Sequence, residues 1–386
     1  MNFELDPELA ELQSRVRRFV DDELLPLERE MGPRETLTPE LRERFRARTK
    51  ELGLWMHDIP KEYGGLGMGL LARAIILAEI GRQITVPWRD QSIFGPLVGP
   101  ILYQLDDAQK ERYLYPVLRG ERIGCFAQTE PNAGSDPASM TTSAVRDGDE
   151  YVINGHKWFI GWGDIADFIQ LVAVTDPEKR ARGGISVFLV DTDTPGVHHV
   201  RKIDTISRTK PSELIFENVR VPADRLVGTP GGGFRLAQEW ITEGRVRHAA
   251  RSMGVISRCL DLAAKRALER VTFGRPLSDR QAIQWMIVDM YQHLHQLRLM
   301  TYEVAWKSDH GLDVRKESYM CKYFGDESAF EAADRCMQIY GALGLTTDLP
   351  IELFWREQRA NMITEGSTEV LKTTLARHIL QEYTTP

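Results

Sequence analysis

The stretch "MITEGSTEV" (residues 362–370) places a carboxylate, Glu365, just ahead of Gly366, Ser367 and Thr368. A hydroxyl followed by apolar Leu371, Leu375 and Ile379 opens a helix, with Ser367 or Thr368 as its cap and the three apolar residues as its buried stripe. Glu365 lies too early to be an ordinary first-turn acid, so it is free to face something else. Three more strings carry polar chemistry. "CFAQTEPNAGSD" (125–136) reads as a strand entering Thr129-Glu130-Pro131 and a turn with Gly134 and Ser135. Its hydroxyls and backbone N–H groups suit a polar ring edge or a phosphate, and equally describe a plain β-turn. "RVTFGRPLSDRQAIQ" (270–284) sets Arg270 and Phe273 before a long helix with Gln281 inside it, which suits a pyrophosphate or a base, or is a plain Phe-Gly turn. In "MQIYGALG" (337–344), Gly341 and Gly344 either admit a close backbone approach or cap a helix.

Familiar chemistries find no support. No GxGxxG follows a first strand, and "GGLGMG" and "GGGF" sit in no strand–helix context. Walker A, HExxH and GxSxG strings are absent. His293 and His295 lie two apart on a helix, and His198 and His199 alternate along a strand, so neither pair makes a metal site. The four cysteines show no CxxC spacing and read as small buried hydrophobes in a reducing, cytoplasmic setting. With 49 basic and 56 acidic residues and a net charge of −7, the chain has no electrostatic reason to bind nucleic acid. The run "ISVFLV" is too short to span a bilayer, and the acidic, amphipathic N-terminus is unlike a secretory signal.

The elements that position these strings fall into three zones, giving a mostly α, α+β architecture. Residues 1–120 read as an N-terminal helical domain, with Leu9, Leu12, Val16, Phe19 and Val20 at helical spacing and a second helix in "LLARAIILAEIG". A glycine-rich loop, "PKEYGGLGMG", lies between them. Residues 121–228 read as a small middle β domain: "EYVINGHKWFI" as strand, Asn-Gly turn, strand, then "DFIQLVAVTD", "GISVFLVDT" and "SELIFENVRVP". Residues 229–386 return to helix as a C-terminal four-helix bundle, whose seam is Ile283, Ile287, Met290, Leu294 and Leu297.

In this order, TEPxAGSD, RxTFGxPL, QIYG, EGSTEV and the "FENVRVP" closing the β zone resemble the acyl-CoA dehydrogenases, over nearly the whole chain. The resemblance implies an FAD-dependent enzyme that introduces an α,β double bond into an acyl-CoA and passes electrons to an electron-transferring flavoprotein. It implies that Phe126, Gln128, Thr129, Gly134 and Ser135 line the flavin, with Ser135 also at the substrate head, and that Phe159 and Gly161 contact the ring. Arg270, Phe273, Gln281, Gln338 and Gly341 match positions reaching the ADP half of an FAD held by a neighbouring subunit, so a homodimer or homotetramer is expected. Ser367 and Glu369 match residues beside the cofactor, and Arg245 an arginine near the acyl-CoA channel.

Glu365 matches the family's catalytic base, which removes the α-proton while the β-hydrogen leaves as hydride to flavin N5. One branch of the family instead draws its base from the position before the arginine, which here is Gly244; Glu243 is one residue off, about 100° around a helix. The chain departs from the pattern at Gly161, where a hydroxyl residue is usual, and at Phe159, Ala342 and Glu369. Gly161 keeps open a same-fold oxidase, monooxygenase or enoyl-CoA reductase; a non-catalytic flavoprotein would be expected to lose Glu365. The polar Arg89, Asp90 and Gln91 in "VPWRDQSIFG" suggest a polar or cyclic acyl group.

Overall fold

The computed structural model describes residues 4–31, 36–87 and 92–384; Arg89, Asp90 and Gln91 lie outside them. Helices α1 (Pro7–Phe19), α2 (Pro39–Glu51) and α3 (Leu70–Ile80) build the N-terminal part. Asp6 and Thr38 cap the first two through side-chain oxygens, each with proline at the helix start. For α3 the cap comes from elsewhere: Asp309 accepts from the N–H groups of Leu70 and Leu71 at 2.6 and 3.0 Å. A side chain at Gly69 would occupy the space of that carboxylate.

The middle part is a seven-stranded sheet of β1 (Gly124–Ala127), β2 (Ser143–Asp147), β3 (Glu150–Ile160), β4 (Phe168–Val174), β5 (Ile185–Asp191), β6 (Val197–Lys202) and β7 (Ser212–Pro222). Its order is β1-β4-β2-β3-β7-β6, with β5 paired to β4. β4 runs parallel to β1 and antiparallel to β5, and is buried on both faces. Phe168, Val172 and Val174 pack under residues 101–117, while Ile169, Leu171 and Ala173 face the rest of the sheet. That two-sided burial explains its unbroken apolar sequence.

The expected Asn-Gly hairpin is absent: Asn154 and Gly155 lie inside β3, at an irregularity in its pairing with β7. Gly155 is required there because any side chain would overlap Thr142, and Asn154 Oδ1 accepts from the Asn218 N–H at 2.8 Å. The hairpin turns instead between Asp147 and Glu150, around Gly148.

The C-terminal part contains α4 (Gly233–Glu269), α5 (Gln281–Asp309), α6 (Arg315–Tyr340), α7 (Ile351–Asn361) and α8 (Thr368–Thr384). α4, α5 and α6 pack against one another, and α7 and α8 both lie against α6, giving the expected C-terminal bundle. Met290 and Leu297 of the expected α5 seam are buried, with Ile283, Ile287 and Leu294 packed against the same core. In α8, Leu371 and Leu375 are buried but Ile379 is exposed, because the face turned to α6 there carries His378, stacked on Tyr319, and Glu382, paired with Lys316. Gln281 lies at the first position of α5, not inside it. Among the described residues no helix is long and apolar enough to cross a membrane, and no cluster of residues could hold a metal.

Candidate active site

Glu365 projects from the turn between α7 and α8, held in a left-handed conformation at φ 54° with Gly366 following at φ 105°. A non-glycine residue there is strained, and such strain gathers at functional sites. Ser367 caps α8, its carbonyl accepting from Leu371 at 3.0 Å and its hydroxyl from Val370 at 3.5 Å. Thr368 is instead buried, and its hydroxyl has no partner. Lys322, wholly buried in α6, donates to the carbonyls of Asn361 and Gly366 at 2.8 and 2.9 Å and so ties down both sides of the turn.

The carboxylate lies directly over Gly244, where a Cβ would overlap its Oε2. That Oε2 is buried and unpartnered, while Oε1 is 3.8 Å from His248 Nε2. Glu243, the alternative acid, is turned away and paired with Arg73. Arg245 is buried against the ring of Tyr319 at 4.6 Å, within electrostatic reach of Glu365. Burial pulls its guanidinium below the ordinary arginine range.

The other expected residues separate into two groups. Phe126 stacks on Trp240 at 5.0 Å, one helical turn before Gly244, which links β1 to the Glu365 corner. Gln128 and Thr129 follow on the same strand end, where the Trp158 N–H donates to the Thr129 carbonyl at 2.8 Å. Gly134 and Ser135 are exposed on the adjoining turn. Phe159, half exposed, and Trp162 both have positive φ, 57° and 64°, on either side of Gly161, above which there is open space.

Arg270, Phe273, Gln281, Gln338 and Gly341 gather at the opposite end of the bundle, where Arg266 lies over the Tyr340 ring at 5.4 Å. At ~1.5 Å per residue Arg270 is about 40 Å along α4 from Gly244. The Phe273-Gly274 turn joins β8 (Val271–Thr272) to β9 (Arg275–Pro276) and leaves Phe273 98% exposed. Glu369 is exposed on the first turn of α8, where its own N–H and the Ser367 hydroxyl hold its carboxyl below the ordinary range.

Sequence reasoning missed the charged groups beneath these surfaces. Lys157, wholly buried in β3, pairs with Glu130 at 2.9 Å and donates to the Gln128 carbonyl at 2.8 Å. Burial alone would push the Glu130 carboxyl up, but Lys157 and bonds from Thr141 and Thr142 bring it down to about 2. Below Glu365, His248 Nδ1 is 3.5 Å from Asp326, which pairs with Lys322 at 3.0 Å. The only trace in the sequence is a lysine amid strand residues and an i,i+4 Lys–Asp pair in a small-residue helix, patterns shared by many solvated surfaces.

Comparison with known proteins agrees with this organisation. Three family models match: acyl-CoA dehydrogenase N-terminal domain over residues 6–121, middle domain over 125–219 and C-terminal domain over 231–380. The acryloyl-CoA reductase (NADH) of Anaerotignum propionicum is 36% identical over 99% of this chain and 96% of its own. The mitochondrial short-chain specific acyl-CoA dehydrogenase of Mus musculus is 36% identical over 96% of this chain and 90% of its own. A solved structure of the electron transferring flavoprotein of Acidaminococcus fermentans aligns at a TM-score of 0.86 and 30% identity, covering 98% of this chain and 100% of that one. An FAD complex of PigA aligns at 0.88 and 25% identity, covering 98% and 99%.

FAD is the family's cofactor, and the residues here fit it. Buried polar atoms without partners are Gln128 Oε1 and Trp158 Nε1 at the ends of β1 and β3, where the Trp158 ring lies 4.8 Å from the half-exposed Phe159, and Thr368 Oγ1 at the start of α8. Buried polar atoms in native proteins are almost always satisfied, so these are ready for a polar ring. Helical flanks, an intervening sheet, an acid lodged over a helix glycine and three matching family models together make this chain a member of the acyl-CoA dehydrogenase family.

Proposed function

We propose that the chain dehydrogenates an acyl-CoA thioester between its α and β carbons, with Glu365 as the base that takes the α-proton. What carries this reading is the carboxylate of Glu365, strained out of the helix and lodged over Gly244 with one buried oxygen unpartnered. A general base needs a free lone pair within about 3 Å of the proton it removes, and Oε2 has one. The positive-φ turn also presents backbone N–H groups beside the carboxylate, suited to the oxygen of a thioester as it gains charge. Phe126, Gln128, Thr129, Gly134, Ser135, Phe159, Gly161, Ser367 and Glu369 would hold the flavin half of FAD, and Arg245 would balance the charge of Glu365. FAD, when bound, supplies the acceptor for the β-hydrogen, which leaves as hydride to N5. Arg270, Phe273, Gln281, Gln338 and Gly341 stand too far away to serve the same cofactor's ring, which favours a homodimer or homotetramer with shared sites. We read an electron-transferring flavoprotein as the electron acceptor.

The test is anaerobic bleaching of the flavin by a panel of acyl-CoAs, in the native enzyme and in Glu365→Gln. Bleaching is expected in the native enzyme and its loss, with FAD retained, in the variant; wild-type bleaching by Glu365→Gln would sink the assignment. A second reading, reduction of an enoyl-CoA, is favoured by the similarity to a reductase. It uses the same residues in reverse, with Glu365 donating the proton. Oxidation of the dithionite-reduced protein by enoyl-CoA but not by an electron-transferring flavoprotein would select it, whereas rapid oxidation by O₂ would point to the open face at Gly161.

A further inference from the structure

We propose that His248 is a second acid–base group of this site, which shares a proton with Glu365 and holds its carboxylate over Gly244. This rests on the reading of Glu365 as the base. His248 is 5% exposed, one turn beyond Gly244 on the same face of α4. Its two ring nitrogens face two acids: Nε2 lies 3.8 Å from Glu365 Oε1, and Nδ1 lies 3.5 Å from Asp326 Oδ2. Asp326 is fully buried and fixed by Lys322 at 3.0 Å and by the Ser252 hydroxyl at 3.1 Å. Lys322 in turn donates to the Gly366 carbonyl, so one connected set holds the main chain next to Glu365 and brings His248 to 3.8 Å from its carboxylate.

Burying an imidazole between two carboxylates is costly unless it bonds or carries charge, and an apolar side chain would pack this helix better. The charged groups at the ring are Asp326 from α6 and Glu365 from the turn; behind them Lys322 pairs with Asp326, and from α4 Arg245 lies within electrostatic reach of Glu365 and Arg251 within that of Asp326. Glu357 of α7 neutralises Arg251 at 2.6 Å. Burial would push the Asp326 carboxyl up, but His248 and Lys322 outweigh it and hold it below the ordinary range, so it remains an anion. An anion at Nδ1 orients the ring with Nδ1–H toward Asp326 and the lone pair of Nε2 toward Glu365. After Glu365 has taken the substrate's proton, its O–H bond can break as an N–H bond forms at Nε2. The products are the Glu365 carboxylate and an imidazolium balanced by Asp326, and no other reactant is needed. Glu365 is thereby restored as a base without opening the site to water.

The experiment is the exchange of α-hydrogen for deuterium in acetyl-CoA, catalysed by the FAD-loaded enzyme in D₂O and followed by mass spectrometry across pH. Acetyl-CoA has α-hydrogens but no β carbon, so exchange reports the base alone. Coupled groups titrate in separate macroscopic steps, so the wild-type rate is expected to rise in two steps across the pH range. His248→Gln is expected to rise in one step; a wild-type profile in that variant overturns the proposal. Glu365→Gln exchanging at the wild-type rate would overturn the base reading instead, so the two failures are distinguishable. FAD occupancy of each variant is read from its absorbance. Should His248→Gln lose FAD, Asp326→Asn keeps the ring and removes its counter-anion. The upper step is then expected at lower pH than in wild type, and an unmoved step overturns the proposal.

Discussion

At the scale of single residues, the site turns on a vacancy on one helix and a strained residue on another segment. Gly244 costs α4 helical stability, roughly 1 kcal/mol relative to alanine. Its place in the fold explains that cost, since any side chain there would overlap the carboxylate of Glu365. Gly244→Ala is therefore expected to leave thermal stability unchanged or slightly raised. It should also lower the rate of flavin bleaching by tenfold or more, because the carboxylate is pushed off its position and small misplacements are costly. Stopped-flow bleaching beside a thermal melt checks both halves, and an unchanged rate would mean that the carboxylate works from elsewhere. The same geometry accounts for what was legible in the sequence. Glu365 stood out because it preceded a glycine and lay outside a cappable helix, and that arrangement survives in the structure. His248 could not stand out, since an isolated histidine in "RVRHAAR" carries no sign of the Asp326 that meets it from 78 positions away.

At the scale of elements, β1 and β3 are registered by a buried ion pair that no periodicity announces. Lys157 sits where strand alternation calls for an apolar side chain, and its ammonium reaches both the Glu130 carboxylate and the Gln128 carbonyl. Replacing it with methionine keeps the volume and strands the Glu130 charge in the interior. Breaking such a pair costs about 3–5 kcal/mol. Lys157→Met is expected to lose that amount of unfolding free energy, so that it unfolds at lower urea concentration, and to bind FAD more weakly, because the strand end bearing Gln128 and Thr129 loses its anchor. Urea titration with flavin fluorescence as a second probe measures both; an unchanged stability would show that the pair is dispensable. The misread Asn-Gly hairpin has a related cause. Asn154-Gly155 is a strong turn signal locally, but Gly155 answers to Thr142 on the path into β2, a contact invisible to a short window. Apolar patterns such as that of β4 and the α5 seam were legible because their burial is periodic. Buried charges follow no period, so their partners had to be seen in three dimensions.

At the scale of the whole molecule, two features ask for a larger assembly and for a particular response to acid. Phe273 at 98%, Trp285 at 60%, Val288 at 58% and Trp306 at 49% exposure stand along one hairpin and helix, an apolar surface of the kind that marks association. Light scattering is expected to give a dimer or tetramer, and Phe273→Ser with Trp285→Ser a smaller species with less FAD; a wild-type monomer would remove the shared-site reading. Within one chain, Arg208 ties the three parts together, meeting Glu357 of α7 at 3.0 Å and the Ile84 carbonyl at 2.7 Å from a loop after β6. Arg251 of α4 completes the set at 2.6 Å from Glu357. Burial would raise the carboxyl groups of Glu357, Asp326 and Glu130, but their cationic partners win and hold all three below the ordinary range. The unfolded chain thus binds these protons first as pH falls. The stability they add is full above the ordinary carboxylate value near pH 4 and is lost as pH drops toward about 2, the value for Glu130. Urea midpoints measured from pH 7 to pH 3 should fall steeply below about pH 4.5. Arg208→Met should lower the unfolding free energy at pH 7 by about 3–5 kcal/mol and flatten the acid slope, since Glu357 then keeps only Arg251 against its burial. A variant with the native slope would place the acid sensitivity elsewhere than in the contact joining the three parts.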